Sequence, residues 1–158
     1  MKARTHRNVR GEEGAAAVEF AIVVTLLFTI IFGIMEFGLA LFELQNLRSS
    51  AREGARVAAV GGDRAAILSA LKVGASGSLN PWGSDSSKFT VKVNGSTTGE
   101  SKPCVPAAAP TSAQGKQVEV ALPYANLPTN TKSAFQIEIP FIPKITLTPT
   151  ITGSFRCE

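Results

Sequence analysis

A glutamate lies inside a long apolar run near the N-terminus. The run from Ala15 to Phe42 contains no Lys or Arg, but it holds Glu19 at its fifth position and Glu36 nearer its far end. A carboxylate at the middle of a membrane costs about 2.5–3.5 kcal/mol on insertion scales, so such a group usually has a partner. The chemistry open to Glu19 is therefore pairing with a cation, or reaching back to the membrane surface.

Two cysteines are the other residues with distinctive chemistry. Cys104 and Cys157 are the only cysteines of the chain. If their part of the chain is exported, an oxidising compartment favours a disulfide, which would stabilise the fold by roughly 4 kcal/mol through loop entropy. Two free buried thiols are the alternative, and a bridge to another chain stays open. A metal site is not expected, because the sole histidine, His6, precedes the apolar run.

Catalytic arrangements are not expected. Neither Ser-His-Asp nor Cys-His chemistry can be built without a histidine beyond residue 6. Glu119 and Glu138 lie at polar positions of two predicted strands, where carboxylates are far more often solvated than paired for acid–base work. The stretch VGGD lacks the Lys-Ser/Thr of a phosphate-binding loop. We therefore expect no enzyme activity and no cofactor.

The elements that position these residues begin with a membrane helix. Ala15–Phe42 would extend about 42 Å as a helix, against a hydrocarbon core of about 30 Å, and is too long for a cleavable secretory signal. Four cations precede it, which predicts a cytoplasmic N-terminus and an exported remainder: Lys2, Arg4, Arg7 and Arg10. If Ala15 lies at the inner interface, Glu36 lies about 31 Å higher and marks the outer boundary. So few cations are weak support for a nucleic-acid partner.

The helical pattern continues beyond the apolar run as an amphipathic stalk. One face is apolar and small, and another is polar: Leu44, Leu47, Ala51, Ala55 and Ala58 against Gln45, Arg48, Arg52 and Arg56. Gly61-Gly62 predicts the end of this helix. Asp63 is a candidate N-cap for a short helix that ends at Gly74.

The remainder of the chain predicts a small antiparallel sheet. Alternating apolar positions occur in four segments, which we interpret as strands: 88–93, 116–122, 134–142 and 145–155. Asn94-Gly95 predicts a turn, and Pro149 an edge or a bulge. The stalk or the 63–73 helix would cover the apolar face. The predicted fold class is thus α+β, with a leader at 1–14, a transmembrane helix at 15–42, a stalk at 43–62 and an exported domain at 63–158.

The N-terminal motifs resemble a known signal. A basic leader that ends in Gly14, small residues, Glu19 and a long apolar helix are similar to the class III signal of type IV pilins and pseudopilins. Three stretches, GAAAVEFAIV at 14–23, GIMEFGLALF at 33–42 and AREGARVAAVGG at 51–62, resemble the TadE-like family of the tight adherence (Tad, Flp-type) pilus system. This resemblance covers about the first 60 residues of the chain.

The resemblance implies a role in assembly. It makes Gly14 and Ala15 the bond cut by a prepilin peptidase, and Glu19 the residue that pairs with the new amine of a neighbouring subunit. The implied protein is a minor pilin or pseudopilin in the bacterial cytoplasmic membrane. It would contribute to the assembly or tip of an adhesive or secretory pilus, and its helix would contact lipid, other pilin subunits and the assembly platform. The alternative is an uncleaved, single-pass anchored binding module or adhesin.

Overall fold

The structure is a computed structural model that describes residues 10–105 and 114–158, and side chains from Gly14 onward. Residues 1–9 of the predicted leader, with His6, lie outside the described residues, as does the 106–113 part of the loop after Cys104. The described chain is mixed α+β, with a long N-terminal helix, a short helix and a small antiparallel sheet. The predicted fold class is therefore confirmed.

One uninterrupted helix, α1 (Arg10–Ala59, 50 residues), contains both the predicted membrane segment and the stalk. Thr25 and Thr29 bond back to carbonyls one turn earlier within this helix, at 2.8 and 2.9 Å, which satisfies their hydroxyls inside an apolar segment. Gly61 ends the helical path with a φ of +82°. The N–H of Gly62 then donates to the Val57 carbonyl at 2.9 Å, so the predicted glycine stop is correct.

The second helix, α2 (Arg64–Gly74), begins at the predicted cap. The Asp63 carboxylate accepts the N–H of Ala66 at 2.7 Å, which satisfies one of the free donors of the first turn. Ile67, Leu68 and Leu71 are its buried residues, and they pack in one core with α1.

The described residues also form six strands and a third, short α-helix: β1 (Thr90–Val93), β2 (Ser96–Thr98), β3 (Gln117–Leu122), α3 (Thr129–Ser133), β4 (Gln136–Ile137), β5 (Ile145–Thr146) and β6 (Ile151–Arg156). The main sheet has the order β2-β1-β3-β6, and its neighbouring strands are antiparallel. Asn94 and Gly95, with φ of +51° and +82°, form the predicted turn between β1 and β2.

The prediction for residues 134–155 is wrong in part. Between residues 134 and 150, only Gln136–Ile137 and Ile145–Thr146 are strands, and they pair with each other in a separate two-stranded hairpin, while β6 forms the end of the predicted 145–155 strand. β2, which the sequence pattern did not predict, takes the fourth place in the main sheet. Pro140 and Pro143 lack the N–H that a strand interior needs. Pro149 falls in the break between β5 and β6, and β6 is an edge strand of the main sheet, as the proline suggested.

The stalk part of α1 is the centre of the C-terminal α+β domain. Its predicted inner face is buried except for the partly buried Leu44, and its predicted polar face is exposed. The buried face of the sheet, which includes Val118, Val120 and Ile151, packs in one core with Leu47 and Ala51. Sheet and α2 both contact α1, so the upper part of the long helix is held rigidly by the domain around it.

Candidate functional site on the long helix

The predicted cleavage bond lies near the start of α1. Gly14 and Ala15 are both exposed and helical. A Cβ built on Gly14 would meet no atom within 4 Å among the described residues, so no contact with them explains a glycine at this position. Glycine is about 1 kcal/mol worse than alanine in a helix interior, so this turn opens more easily than its alanine-rich neighbours. Cleavage here stays a prediction.

Glu19 projects from the apolar part of α1. It is exposed, and its neighbours Val18 and Phe20 are 61% and 69% exposed. Among the residues whose side chains the structure describes, no cation forms an ion pair with it. Ala15 and Glu19 lie four residues apart and thus on one helix face, about 6 Å apart along the axis. Its role in charge pairing is a prediction that the fold leaves open.

The surface around Glu19 is apolar over several turns. Within the described chain, one helix is long and apolar enough to cross a membrane, and no residue of its most apolar window is buried inside the protein. Its exposed side chains include the large apolar residues Ile22, Leu26, Phe28, Met35 and Phe42. An exposed apolar surface of this size requires lipid or other apolar helices around it. The helix therefore fits a membrane anchor.

Glu36 lies on the part of the helix that faces the end of α3. Glu36 and Glu43 line a shallow depression that they share with Ser133 and Ala134 at the end of α3. One carboxylate oxygen of Glu43, Oε1, is buried without a hydrogen-bond partner among the described residues. Carboxylates thus mark the junction between the apolar helix and the domain. The outer membrane boundary at Glu36 stays a prediction, and this junction is consistent with it.

Small residues let the domain approach the helix closely. A Cβ on Gly54 would lie 2.7 Å from Cδ2 of Leu71, and one on Gly74 would lie 2.7 Å from Cα of Ser50. A Cβ on Gly153 would overlap the α1 backbone at Ala51 and Arg52. The buried Ser50 hydroxyl donates to the Leu71 carbonyl at 2.6 Å. Sequence reasoning missed these residues, although Ser50 and Gly54 continue the helical spacing of the apolar face.

The two cysteines form a disulfide at the end of the domain away from the apolar run. Cys104 and Cys157 are joined, with their Cα atoms 5.4 Å apart, across a sequence separation of 53 residues. The N–H of Glu158 donates to the carbonyl of Ala59 at 3.1 Å. The disulfide thus ties the β2–β3 connection to the strand β6, close to the last residue of α1.

The charged groups of the domain do not converge on a reaction centre. Glu119 lies 3.8 Å from the Lys92 ammonium, and Glu138 lies 2.7 Å from that of Lys144, so each predicted carboxylate pairs with a different lysine. The hydroxyl and the N–H of Ser87 lower the pKa of Asp85, by hydrogen bonds to its carboxylate. Among the described residues, no cluster of three or more His, Cys, Asp or Glu could hold a metal ion.

Comparison with known proteins identifies the same part of the chain. No curated protein and no solved structure matches the chain. A family model does match, and its description is TadE-like protein. The match begins at Gly14 and ends at Arg56, so it contains the predicted cleavage bond, Glu19 and most of the stalk. Residues 14–56, which contain the apolar part of the helix and most of the stalk, are thus similar to the TadE-like proteins.

Proposed function

We propose that the protein is a minor pilin or pseudopilin of a Tad-type pilus, cut after Gly14 by a prepilin peptidase and assembled through its N-terminal helix. The observation that carries the proposal is the TadE-like match from residue 14, on a helix whose apolar surface is exposed. Such a surface can lie in lipid before assembly and against other helices afterwards. The role is structural, and the exported domain would stand at a pilus tip or prime assembly from the membrane.

Cleavage gives Glu19 its partner. Cutting after Gly14 would place a new α-amine on Ala15, a cation at the edge of the hydrocarbon. A carboxylate and an amine are each costly there, and pairing them between subunits would both lower that cost and fix the axial stagger of adjacent helices. A pair within one chain is also within geometric reach, because Ala15 and Glu19 share a helix face. Only the pair between subunits requires Glu19 for assembly.

The test replaces each of the two carboxylates of the apolar run by its neutral isostere. Glu19→Gln should reduce incorporation into pilus structures at least tenfold, because it leaves the neighbouring amine unpaired. Glu36→Gln is the matched control, since it removes the same charge from the same helix near the predicted boundary, and it should assemble like the unaltered protein. Quantitative immunoblotting of sheared pili and of membranes measures both variants. Normal incorporation of Glu19→Gln would overturn the pairing between subunits.

The processing step has its own support. The predicted bond is exposed, and glycine at position 14 weakens the helix where a peptidase must open it. Four cations precede the apolar run and would hold the bond on the cytoplasmic side of the membrane. An uncleaved chain in the presence of the peptidase would favour the anchored module or adhesin instead.

A further inference from the structure

The hairpin β4–β5 carries an apolar tip that the proposed function does not use. Its connecting residues include Phe141 and Ile142, which are 87% and 44% exposed. Ile145 and Leu147 on the returning arm are also exposed, at 40% and 38%. A group of exposed large apolar side chains on one hairpin indicates a contact surface, whereas single exposed apolar residues are common on any protein.

This tip lies beside the membrane part of α1. A Cβ on Gly33 would lie 3.5 Å from Cδ1 of Ile139, and Phe141 borders one apolar groove with Thr25 and Thr29. At about 1.5 Å per residue, Gly33 is about 4.5 Å and Thr29 about 10 Å below Glu36 along the helix. One leaflet of hydrocarbon is about 15 Å thick. If Glu36 is at the outer boundary, this groove begins about 10 Å deep at Thr29 and reaches the midplane near Thr25, so Phe141 lies within the hydrocarbon core.

The backbone of the tip is suited to a medium without water. Pro140 and Pro143 have no N–H, and the N–H of Ile142 donates to the Ile139 carbonyl at 3.1 Å. Of the four residues 140–143, only Phe141 has a backbone N–H that the hydrogen bond of this turn does not use. Unsatisfied backbone donors are what normally keep loops out of hydrocarbon, so this composition lowers the main cost of insertion.

The backbone of Phe141 has a strained conformation. Its φ is +67°, a left-handed value that glycine or asparagine adopts at low cost and a bulky residue does not. Phe141 makes little contact with the protein in return, since it is 87% exposed. The strain is explained if the aromatic ring gains apolar surroundings outside the protein.

The charges of the hairpin lie on the side of the tip toward the domain. Glu138 and Lys144 face each other across the two arms at 2.7 Å, just beyond the prolines. Glu138 precedes Ile139, which contacts the helix close to the level of Glu36. Lys144 can reach lipid phosphates from this position while its stem stays among apolar groups. The charged part of the hairpin would thus lie at the lipid headgroups, and its apolar tip would lie in the hydrocarbon.

We infer that residues 139–143 form a second membrane contact, inserted among the acyl chains beside the helix. The hairpin and the helix would then both be inserted in the bilayer, and together they would hold the exported domain in one orientation to the membrane surface. This inference depends on the membrane location of α1 and not on cleavage or pilus assembly. A neighbouring subunit is the competing occupant of the same surface.

Spin labelling of the full chain in lipid nanodiscs, one protein copy per disc, tests this inference. Phe141→Cys should carry a label that is accessible to oxygen and shielded from a water-soluble nickel chelate. Val73→Cys, on the exposed side of α2 and 80% exposed, should give the opposite pattern. Leu27→Cys, 52% exposed on the apolar helix, reports whether α1 itself is inserted.

Each outcome decides the inference. A lipid pattern at position 141 that matches position 27 supports it. Access of the nickel chelate to position 141 while position 27 is shielded would overturn it and leave the membrane helix intact. Shielding of position 141 from both reagents would show that protein covers the tip, which also contradicts it. Water access at position 27 would remove the anchor on which both this inference and the proposed function depend.

Discussion

At the residue scale, two phenylalanines of the same small region have opposite environments. Phe135 is 1% exposed, belongs to the core and stacks edge-on against Tyr124, whereas Phe141 is 87% exposed. Both occupied the same predicted strand face in the sequence pattern. The burial of one and the exposure of the other follow from where the hairpin leaves the domain, which the alternation of apolar residues does not reveal.

This difference predicts two different effects on stability. Phe135→Ala should lower the free energy of unfolding by about 3–5 kcal/mol, because it empties a buried site. Phe141→Ala should change it by less than about 0.5 kcal/mol, because an exposed side chain is removed from a strained position. Urea unfolding in one detergent, followed by fluorescence of the single, buried Trp82, measures both variants. Equal losses in the two variants would contradict the assigned environments.

At the element scale, the fold depends on how closely β6 approaches the long helix. Gly153 occupies the point of closest approach, where a side chain would overlap the backbone of Ala51. Neither element can yield there easily, because α1 also packs against α2 and β6 is paired along its length with β3. A backbone-to-backbone contact of this kind transmits the position of the helix directly to the sheet.

Gly153→Ala should therefore destabilise the domain by about 3 kcal/mol or more, at the upper end of the usual effect of overpacking. Gly99→Ala is the matched control, since a Cβ there meets no atom of the described residues within 4 Å and its φ is not positive. The control should stay within about 0.5 kcal/mol of the unaltered protein. The same urea experiment compares them, and a Gly153 variant as stable as the Gly99 variant would show that β6 does not lie against α1.

Elements specified by neighbouring residues were predictable from the sequence. The glycine stop after α1, the Asp63 cap and the Asn94-Gly95 turn all depend on contacts within a few residues, and the structure has each of them. β2 was missed, because Ser96–Thr98 has no apolar alternation and forms by pairing with β1. The hairpin β4–β5 was misassigned, because its prolines and its contact with Gly33 matter more than its alternating pattern.

The candidate site divides in the same way. Gly14, Glu19 and the apolar run are local signals that the sequence shows directly, and the TadE-like match begins at the same glycine, while the roles of Gly14 and Glu19 stay predictions. Gly54 and Gly74 let the domain pack closely on the helix. The need for glycine at these positions depends on the residues that face them, which the sequence does not show. Periodicity identifies the buried face of a helix, but it does not identify which positions on that face tolerate no side chain.

At the scale of the whole molecule, one long helix has two parts with different surroundings. Its upper part, to Ala59, is the centre of the C-terminal domain, and its lower part is an exposed apolar rod. The Cys104–Cys157 disulfide stabilises the domain at the end away from that rod, by restricting the unfolded chain. Because no break separates the two parts, the helix that would assemble or anchor the protein also fixes the position of its C-terminal domain.

The central claim is that this helix stays on the mature protein after a leader is removed from it. Intact-mass measurement of the chain, co-expressed with a prepilin peptidase and purified from membranes, tests the claim most directly. We predict the mass of residues 15–158, and the full-length mass for a Gly14→Val variant, while Gly38→Val, at the other open glycine of the apolar run, is processed normally. A full-length chain in the unaltered protein, or loss of the apolar helix with the leader, would contradict the account.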